Sequence, residues 1–148
     1  MEAHVFRITE DEVEFLLLKR AAGEIYPNLW QMVTGSVENE TASETAIREI
    51  REETGLIPEK LWVVPKVNSF YSSEQDYVCM VPVFVALVSN KEKVVISNEH
   101  SEYKWVNKNE AQSLLAWPGQ RESVDIIYEY LTDKSSVLKL VEIPLQQI

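Results

Sequence analysis

The segment that most constrains the fold is one helix between Thr41 and Gly55, because both of its ends are marked in the sequence. Thr41 followed three residues later by Glu44 matches a capping box, and Gly55 shortly before Pro58 is typical of a helix C-terminus. Apolar residues recur at helical spacing between these ends, at Ala42, Ala46, Ile47 and Ile50. The pattern predicts a helix that packs by this one side on another layer of structure.

The same helix carries three carboxylates away from its apolar side. Glu49 lies three and four positions before Glu52 and Glu53, so the three are neighbours on the helix surface. Like charges at this spacing destabilise a helix by roughly 0.2–0.5 kcal/mol per pair. One explanation is a solvated acidic surface. The other is a divalent cation such as Mg²⁺ or Mn²⁺, which prefers oxygen ligands and would convert the repulsion into shared attraction.

The rest of the chain predicts an α+β domain. Apolar patterns and turn residues indicate strands at residues 3–8, 13–20, 29–35, 61–71, 77–88 and 102–106, and helices at 107–116 and 120–131. This alternation favours a mixed sheet between helices. Trp62, Trp105 and Trp117 are expected in the core. Residues 134–148 are compatible with an extra edge strand, with a surface that packs on a partner in a homodimer, or with a loose tail.

Composition limits the function classes. A length of 148 residues fits one domain, residues 1–148, and the net charge of -10 argues against a nucleic-acid-binding protein. Cys79 is the only cysteine, which excludes an internal disulfide and favours a reducing, cytoplasmic location. No signal peptide is evident at the N-terminus. The longest apolar run, Tyr77–Val88, is too short to cross a bilayer and indicates a buried strand, so no membrane association is expected.

The acidic helix lies within a longer motif. Glu40 is followed by seven residues and then by "REIREETGL", residues 48–56. This arrangement resembles the signature of the Nudix hydrolases, in which a glycine and five residues precede the first glutamate. Gly35 occupies the glycine position, but only four residues separate it from Glu40. The resemblance covers about residues 3 to 131 and is greatest to the branch of dihydroneopterin triphosphate and dATP pyrophosphohydrolases. It implies the Nudix fold, an α/β/α sandwich around a mixed sheet.

The resemblance also implies an activity. Nudix enzymes of this branch use Mg²⁺, for which Mn²⁺ is expected to substitute, to cleave a small-molecule nucleotide or pterin triphosphate into a monophosphate and pyrophosphate. The implied metal ligands in this chain are Glu49, Glu52 and Glu53 of the helix, the carbonyl group of Gly35, and Glu99. Alternatives from other classes are a non-catalytic Nudix module that senses a nucleotide, and an acidic interaction protein.

The implied catalytic residues are Arg48, Glu52, Glu53 and Glu99. Arg48 is expected to orient a carboxylate by a charge-assisted hydrogen bond, and Glu40 to act structurally by holding Arg48 or the loop. The general base is expected to be either Glu99 or a helix glutamate, with Glu102 as a further alternative to Glu99.

Five residues are candidates for substrate contact. Arg20 and Thr34 match phosphate-contacting or substrate-contacting positions of this branch, although Arg20 is also explained as the charged end of a strand. Trp30, Phe70 and Tyr71 present aromatic rings that suit stacking on a flat heterocycle. Core packing is the alternative explanation for each of these three.

Overall fold

Within residues 1–133 and 139–147, which the computed structural model describes, the chain forms one eight-stranded sheet, three α-helices and a 3₁₀ turn. The elements in chain order are β1 (Glu2–Thr9), β2 (Glu12–Arg20), β3 (Trp30–Gln31), β4 (Val33–Thr34), α1 (Ala42–Thr54), β5 (Lys60–Ser72), β6 (Tyr77–Leu87), β7 (His100–Val106), α2 (Lys108–Leu114), α3 (Pro118–Thr132), β8 (Val141–Ile143) and the 3₁₀ turn Leu145–Gln147.

The sheet is mixed. Its main path runs β3-β2-β1-β6-β5-β8, with β4 paired to β1 and β7 paired to β2. Strands β1 and β6 are parallel, whereas the other paired strands are antiparallel. Helix α1 packs on one face, and α2 and α3 pack on the other, which gives two hydrophobic cores. The predicted α+β class and the sandwich of helices around a mixed sheet are confirmed.

Strand β2 shows why the sheet is covered on both faces. Leu16 and Leu18 belong to the core under α1, whereas Phe15 and Leu17 belong to the core under α2 and α3. Successive side chains of a strand point to opposite faces, so an uninterrupted apolar run requires a layer on each side.

The helix predicted from its end signals is confirmed. The Thr41 side chain accepts a hydrogen bond from the Glu44 backbone N–H, and the Glu44 side chain accepts one from the Thr41 N–H, which is the capping box. Gly55 ends the helix in the left-handed conformation, with φ of 72°. Ala46 and Ile50 are completely buried against the sheet. The location of the apolar side therefore determines which way the glutamates face.

Other boundaries differ where pairing is not local. The single strand predicted for residues 29–35 is two short strands, because Trp30–Gln31 pairs with β2 whereas Val33–Thr34 pairs with β1. The interpretation of Tyr77–Val88 as a buried strand is wrong for its first part, since Val78 and Met80 are exposed. Within the described part of the chain, that part of β6 pairs only with the end of β5, whose Phe70 and Tyr71 are exposed as well.

The prediction that Trp117 lies in the core is also wrong, because its ring is 49% exposed and contacts Tyr26 edge-on. In the predicted tail, Val141–Ile143 pairs antiparallel with Leu61–Val63 and so forms an edge strand. Residues 134–138 and 148 of that tail lie outside the described residues. No helix in the part of the chain that the structure describes is long and apolar enough to cross a membrane.

Candidate active site

A polar cleft of about 540 Å³ lies where helix α1 meets the end of β4. Six of the residues predicted to form the site come together there, namely Thr34, Gly35, Arg48, Glu49, Glu53 and Glu99. Sequence reasoning missed the loop residues Ser36, Glu38 and Asn39 as lining residues. They fill the interval between Gly35 and Glu40, so their place between two motif residues was the signal available in the sequence.

Glu53 is the most unusual carboxylate of the cleft. Its exposed fraction is 4%, and its Oε2 atom has no hydrogen-bond partner among the described residues. The nearest ring nitrogen, His100 Nε2, is 3.9 Å from Oε2. Burial, and then the charges of Glu49 and Glu99, raise the pKa of Glu53 to about 9, against smaller opposing effects of Arg20 and the Thr34 backbone N–H. A cation at this position would oppose that shift, because its positive charge favours the ionised carboxylate.

Arg48 organises the neighbouring carboxylates. Its Nε atom donates to Glu40 Oε1 at 2.8 Å, and its Nη1 atom donates to Glu49 Oε1 at 2.9 Å and to Glu52 Oε2 at 3.1 Å. Burial nevertheless raises the pKa of Glu49 above its ordinary value, because it outweighs the stabilising contact with Arg48. Arg48 therefore holds Glu49 in place while Glu40 fixes Arg48 from the loop.

Gly35 leaves room for Glu49. A Cβ atom at position 35 would lie 2.5 Å from Glu49 Cγ, so any other residue there would displace the Glu49 side chain from the position it holds. The Gly35 carbonyl oxygen accepts a hydrogen bond from the Met1 ammonium group at 2.7 Å. One lone pair of the predicted carbonyl ligand is therefore already engaged.

The residues of the cleft fit a divalent cation. Glu49, Glu53 and Glu99 supply the hard oxygen atoms that Mg²⁺ and Mn²⁺ prefer, and the orphaned Oε2 atom of Glu53 lacks a partner that a cation would provide. Among residues 1–133 and 139–147, no three side chains of the ligating types already converge on one point. Side-chain rotation would be needed to bring the oxygen atoms of the cleft together.

Glu52 and Glu99 occupy different positions. Glu52 is largely exposed and lines a shallow depression beside Arg48 rather than the cleft. Glu99 lines the cleft, and its backbone carbonyl accepts a hydrogen bond from the Ala21 N–H, which anchors its loop to the end of β2. Glu102 points elsewhere, since its side chain forms an ion pair with Lys19 at 3.6 Å.

Arg20 lies near the cleft without lining it. It forms an ion pair with Glu24 at 3.6 Å, and its Nη1 atom donates to Gln31 Oε1 at 3.3 Å. Its charge also lowers the pKa of Glu53, although less than the surrounding effects raise it. Arg20 thus adds positive charge at the edge of the site.

The three candidate stacking residues separate in space. Trp30 packs on the core under α2 and α3, with the ammonium groups of Lys19 and Lys104 near its ring, and it does not line the cleft. Phe70 and Tyr71 are adjacent in β5 and therefore point to opposite faces. The hydroxyl group of Tyr71 donates to Asp76 at 2.9 Å.

Comparison with known proteins identifies the family. The family model described as NUDIX domain matches residues 1–126. The chain is 28% identical to the nucleoside triphosphatase NudI of Klebsiella pneumoniae over 115 residues, covering 72% of this chain and 82% of that protein. It is also 28% identical to the dihydroneopterin triphosphate diphosphatase of Escherichia coli over 128 residues, covering 78% and 83% of the two chains.

The fold agrees with a solved structure. The C. elegans Ap4A hydrolase, in a binary complex, superposes with a TM-score of 0.77 and 22% identity, covering 89% of this chain and 96% of that one. At this identity the likeness concerns the fold alone. The family model, which matches residues 1–126, shows that the chain belongs to the Nudix family, and together with the named relatives it shows that the chain is a Nudix hydrolase.

Proposed function

We propose that this single Nudix domain is a Mg²⁺-dependent pyrophosphohydrolase of the cytoplasm, with Mn²⁺ able to replace Mg²⁺. Its substrate would be a nucleoside triphosphate or a related nucleoside diphosphate derivative, including dihydroneopterin triphosphate. The products would be a monophosphate and pyrophosphate. The activities of the relatives, a nucleoside triphosphatase and a dihydroneopterin triphosphate diphosphatase, support this range of substrates.

The observation that carries the proposal is the state of Glu53. A buried carboxyl group next to two other carboxylates, with one oxygen atom unpaired, is unfavourable in the free protein. Such an arrangement is explained by a ligand that brings positive charge. A divalent cation bound there would neutralise phosphate oxygens and lower the pKa of a bound water molecule.

The protein residues would then position the reacting groups. Glu49 and Glu53 on α1 would hold the cation, and Glu99 would face them from the opposite side of the cleft. Arg48 would keep Glu49 in the ligating orientation through its hydrogen bond, as partners of metal ligands commonly do. Since phosphoryl transfer depends mainly on positioning and charge stabilisation, this geometry supplies most of what the reaction requires.

Glu99 is the favoured general base. It lines the cleft from a loop that faces α1, whereas Glu52 is exposed beside Arg48. A base must lie within hydrogen-bond reach of the attacking water molecule, either directly or through one further water. Glu99 lines the cleft in which that water would lie, whereas Glu52 does not.

The test is a substrate screen with identified products. Nucleoside triphosphates, dinucleoside polyphosphates, nucleotide sugars and dihydroneopterin triphosphate would each be incubated with Mg²⁺, with Mn²⁺ or with a chelator. We expect pyrophosphate and a monophosphate from a triphosphate, and no turnover with the chelator. Inorganic phosphate as the first product would contradict the proposal, and nucleotide binding without any product would indicate the non-catalytic sensing module.

A further inference from the structure

A second buried acid, Glu2 in β1, lies opposite Thr34 of β4, which is one of the residues that line the cleft. Glu2 in β1 is 8% exposed, and no lysine or arginine of residues 1–133 and 139–147 forms an ion pair with it. Its carboxylate instead accepts hydrogen bonds from two amide groups, Asn68 Nδ2 at 2.7 Å and Gln120 Nε2 at 3.4 Å. Buried acidic side chains are rare unless they are paired.

The carbonyl end of Gln120 is also unsatisfied. Gln120 is 8% exposed, and its Oε1 atom has no hydrogen-bond partner among the described residues. Rotating the amide by 180° would not help, because it would turn Oε1 towards the carboxylate of Glu2. The group formed by Glu2, Asn68 and Gln120, which we call the amide–acid cluster, therefore has unused hydrogen-bond acceptors.

The cluster adjoins the cleft through the pairing of β1 with β4. Glu2 is the register partner of Thr34, and side chains directly opposite in an antiparallel pair lie on the same face and close together. Thr34 in turn lines the carboxylate cleft. A substrate whose phosphates occupy the cleft would thus have its other end near the amide–acid cluster.

Two further residues adjoin the amide–acid cluster. Gly119 allows the start of α3 to approach β5, because a Cβ atom there would lie 2.5 Å from Asn68 Oδ1. Phe70 is two positions after Asn68 in β5, so its ring is on the same face, and it is 55% exposed. An exposed aromatic ring next to a polar cluster is suited to stacking on a flat heterocycle.

We propose that the amide–acid cluster binds the 2-amino-4-oxopyrimidine edge that guanine and pterin rings share, and that Phe70 stacks on the ring. This inference rests on the proposed function, because it assigns the heterocycle of the same substrate. The edge carries a ring N–H and an amino group side by side. Two adjacent donors match the two free acceptor positions of a carboxylate, with Gln120 Oε1 as a third acceptor.

Other bases fit less well. Adenine and cytosine place a ring nitrogen acceptor beside their amino group, and that acceptor would face the Glu2 carboxylate. Uracil and thymine offer one ring N–H between two carbonyl oxygens. Hypoxanthine keeps the ring N–H of guanine but lacks the amino group. A site with unpaired buried acceptors discriminates strongly against a ligand that lacks the matching donors.

The test compares GTP, ITP, ATP and dihydroneopterin triphosphate as substrates, with kcat/KM measured for each in Mg²⁺. We expect kcat/KM for GTP and for dihydroneopterin triphosphate each to exceed that for ITP and ATP by about 10-fold or more, because one bidentate contact provides a discrimination of this size. Whichever of the two 2-amino substrates has the higher kcat/KM identifies the ring as a purine or a pterin, and either result supports binding of the shared edge. Equal values for GTP and ITP, or a preference for ATP, would overturn the proposal.

The Glu2→Gln variant tests the residue itself. It should reduce kcat/KM for the 2-amino substrates about 10-fold, mainly through KM, and change the ITP value little. Glu122→Gln is the matched control, because Glu122 lies two residues after Gln120 on α3 but pairs with Lys66 at the surface. A Glu2→Gln protein with an unchanged ratio of GTP to ITP would overturn the assignment.

A binding measurement separates this inference from the proposed function. Calorimetry with GMP and IMP in metal-free buffer compares the same two bases without turnover and without a variant. Tighter binding of GMP supports the amide–acid cluster even if no substrate is hydrolysed, whereas equal binding overturns it. Hydrolysis of all four triphosphates at similar rates would leave the proposed function intact and contradict only the base assignment.

Discussion

Glu44 and Glu53 lie on the same helix, and their surroundings shift their pKa values in opposite directions. Glu44, in the first turn, is partly exposed and accepts hydrogen bonds from the backbone and side chain of Thr41, which lower its pKa. Glu53, in the last turn, is buried, has an unpaired oxygen atom and has a raised pKa. Glu44 stabilises the first turn of α1 through the capping box, whereas the ionised form of Glu53 is unfavourable until a cation binds. The first turn of α1 therefore contributes to folding, and its last turn to ligand binding.

The largest expected effect comes from removing the charge of Glu53. We predict that Glu53→Gln lowers kcat/KM by about 10²-fold or more with the fold intact, because a neutral amide is a poor ligand for a hard cation. Steady-state kinetics at several Mg²⁺ concentrations measure this, with circular dichroism as the check on folding. Glu44→Gln is the matched control and should keep its turnover. An equal loss of kcat/KM in the two variants would contradict the assignment of ligand binding to the last turn alone.

The second prediction concerns the element opposite α1. Glu99→Gln should depress kcat by about 10-fold or more while KM stays within a few-fold, since a general base contributes mainly in the transition state. Glu102→Gln is the control, because Glu102 pairs with Lys19 outside the cleft. If Glu99→Gln kept most of its kcat, the base would move to α1, with Glu52 as the next candidate.

The contrast along α1 was accessible from sequence because its causes are local. The capping box, the apolar spacing and the glutamate spacing all lie within a few residues of one another, so they predicted the helix and its acidic side. The division of residues 29–35 between two partner strands was not accessible, because it depends on pairing with β1 and β2.

The amide–acid cluster shows the same limit more clearly. Asn68 and Gln120 are 66 and 118 positions away from Glu2, and no local pattern connects them. A glutamate at position 2 reads as an ordinary polar residue at the beginning of a strand. Its burial follows only from the packing of β5 and α3 around it, which a single sequence does not reveal.

The third prediction uses pH to expose the unfavourable ionisation of Glu53. Its pKa is raised from 4.5 to about 9 in the folded protein, so the folded state holds this proton more tightly than the unfolded chain does. The resulting stabilisation is complete below pH 4.5 and is lost as the pH rises through about 9. In metal-free buffer, Glu53→Gln should therefore gain in Tm relative to the wild type as the pH increases from 5 to 9.

Added Mg²⁺ should reverse this difference, because the cation stabilises the ionised carboxylate of the wild type and binds the amide poorly. Thermal melts of both proteins across this pH range, with and without Mg²⁺, provide the measurement. A Tm difference that is independent of pH would show that Glu53 ionises normally in the folded protein and that its burial carries no electrostatic cost.

The smallest expected effect is at the other end of the helix. Thr41→Ala removes the oxygen atom that accepts from the Glu44 N–H, and the loss of such a cap typically costs about 1 kcal/mol of stability. Denaturant unfolding measures this change. Thr132→Ala is the control, because the Thr132 hydroxyl only bonds back to the carbonyl of Tyr128 near the end of α3, and its removal should change stability little.

The informative result for Thr41→Ala is its kinetics. Glu53 is held by burial in the last turn, and Gly55 closes the helix there independently of the cap. We therefore expect kcat and KM within about twofold of the wild type, since fraying of a first turn does not reach the last one. If Thr41→Ala lost turnover as Glu53→Gln does, the capping box would be positioning the carboxylates, and the two ends of α1 would have to be treated as one coupled unit.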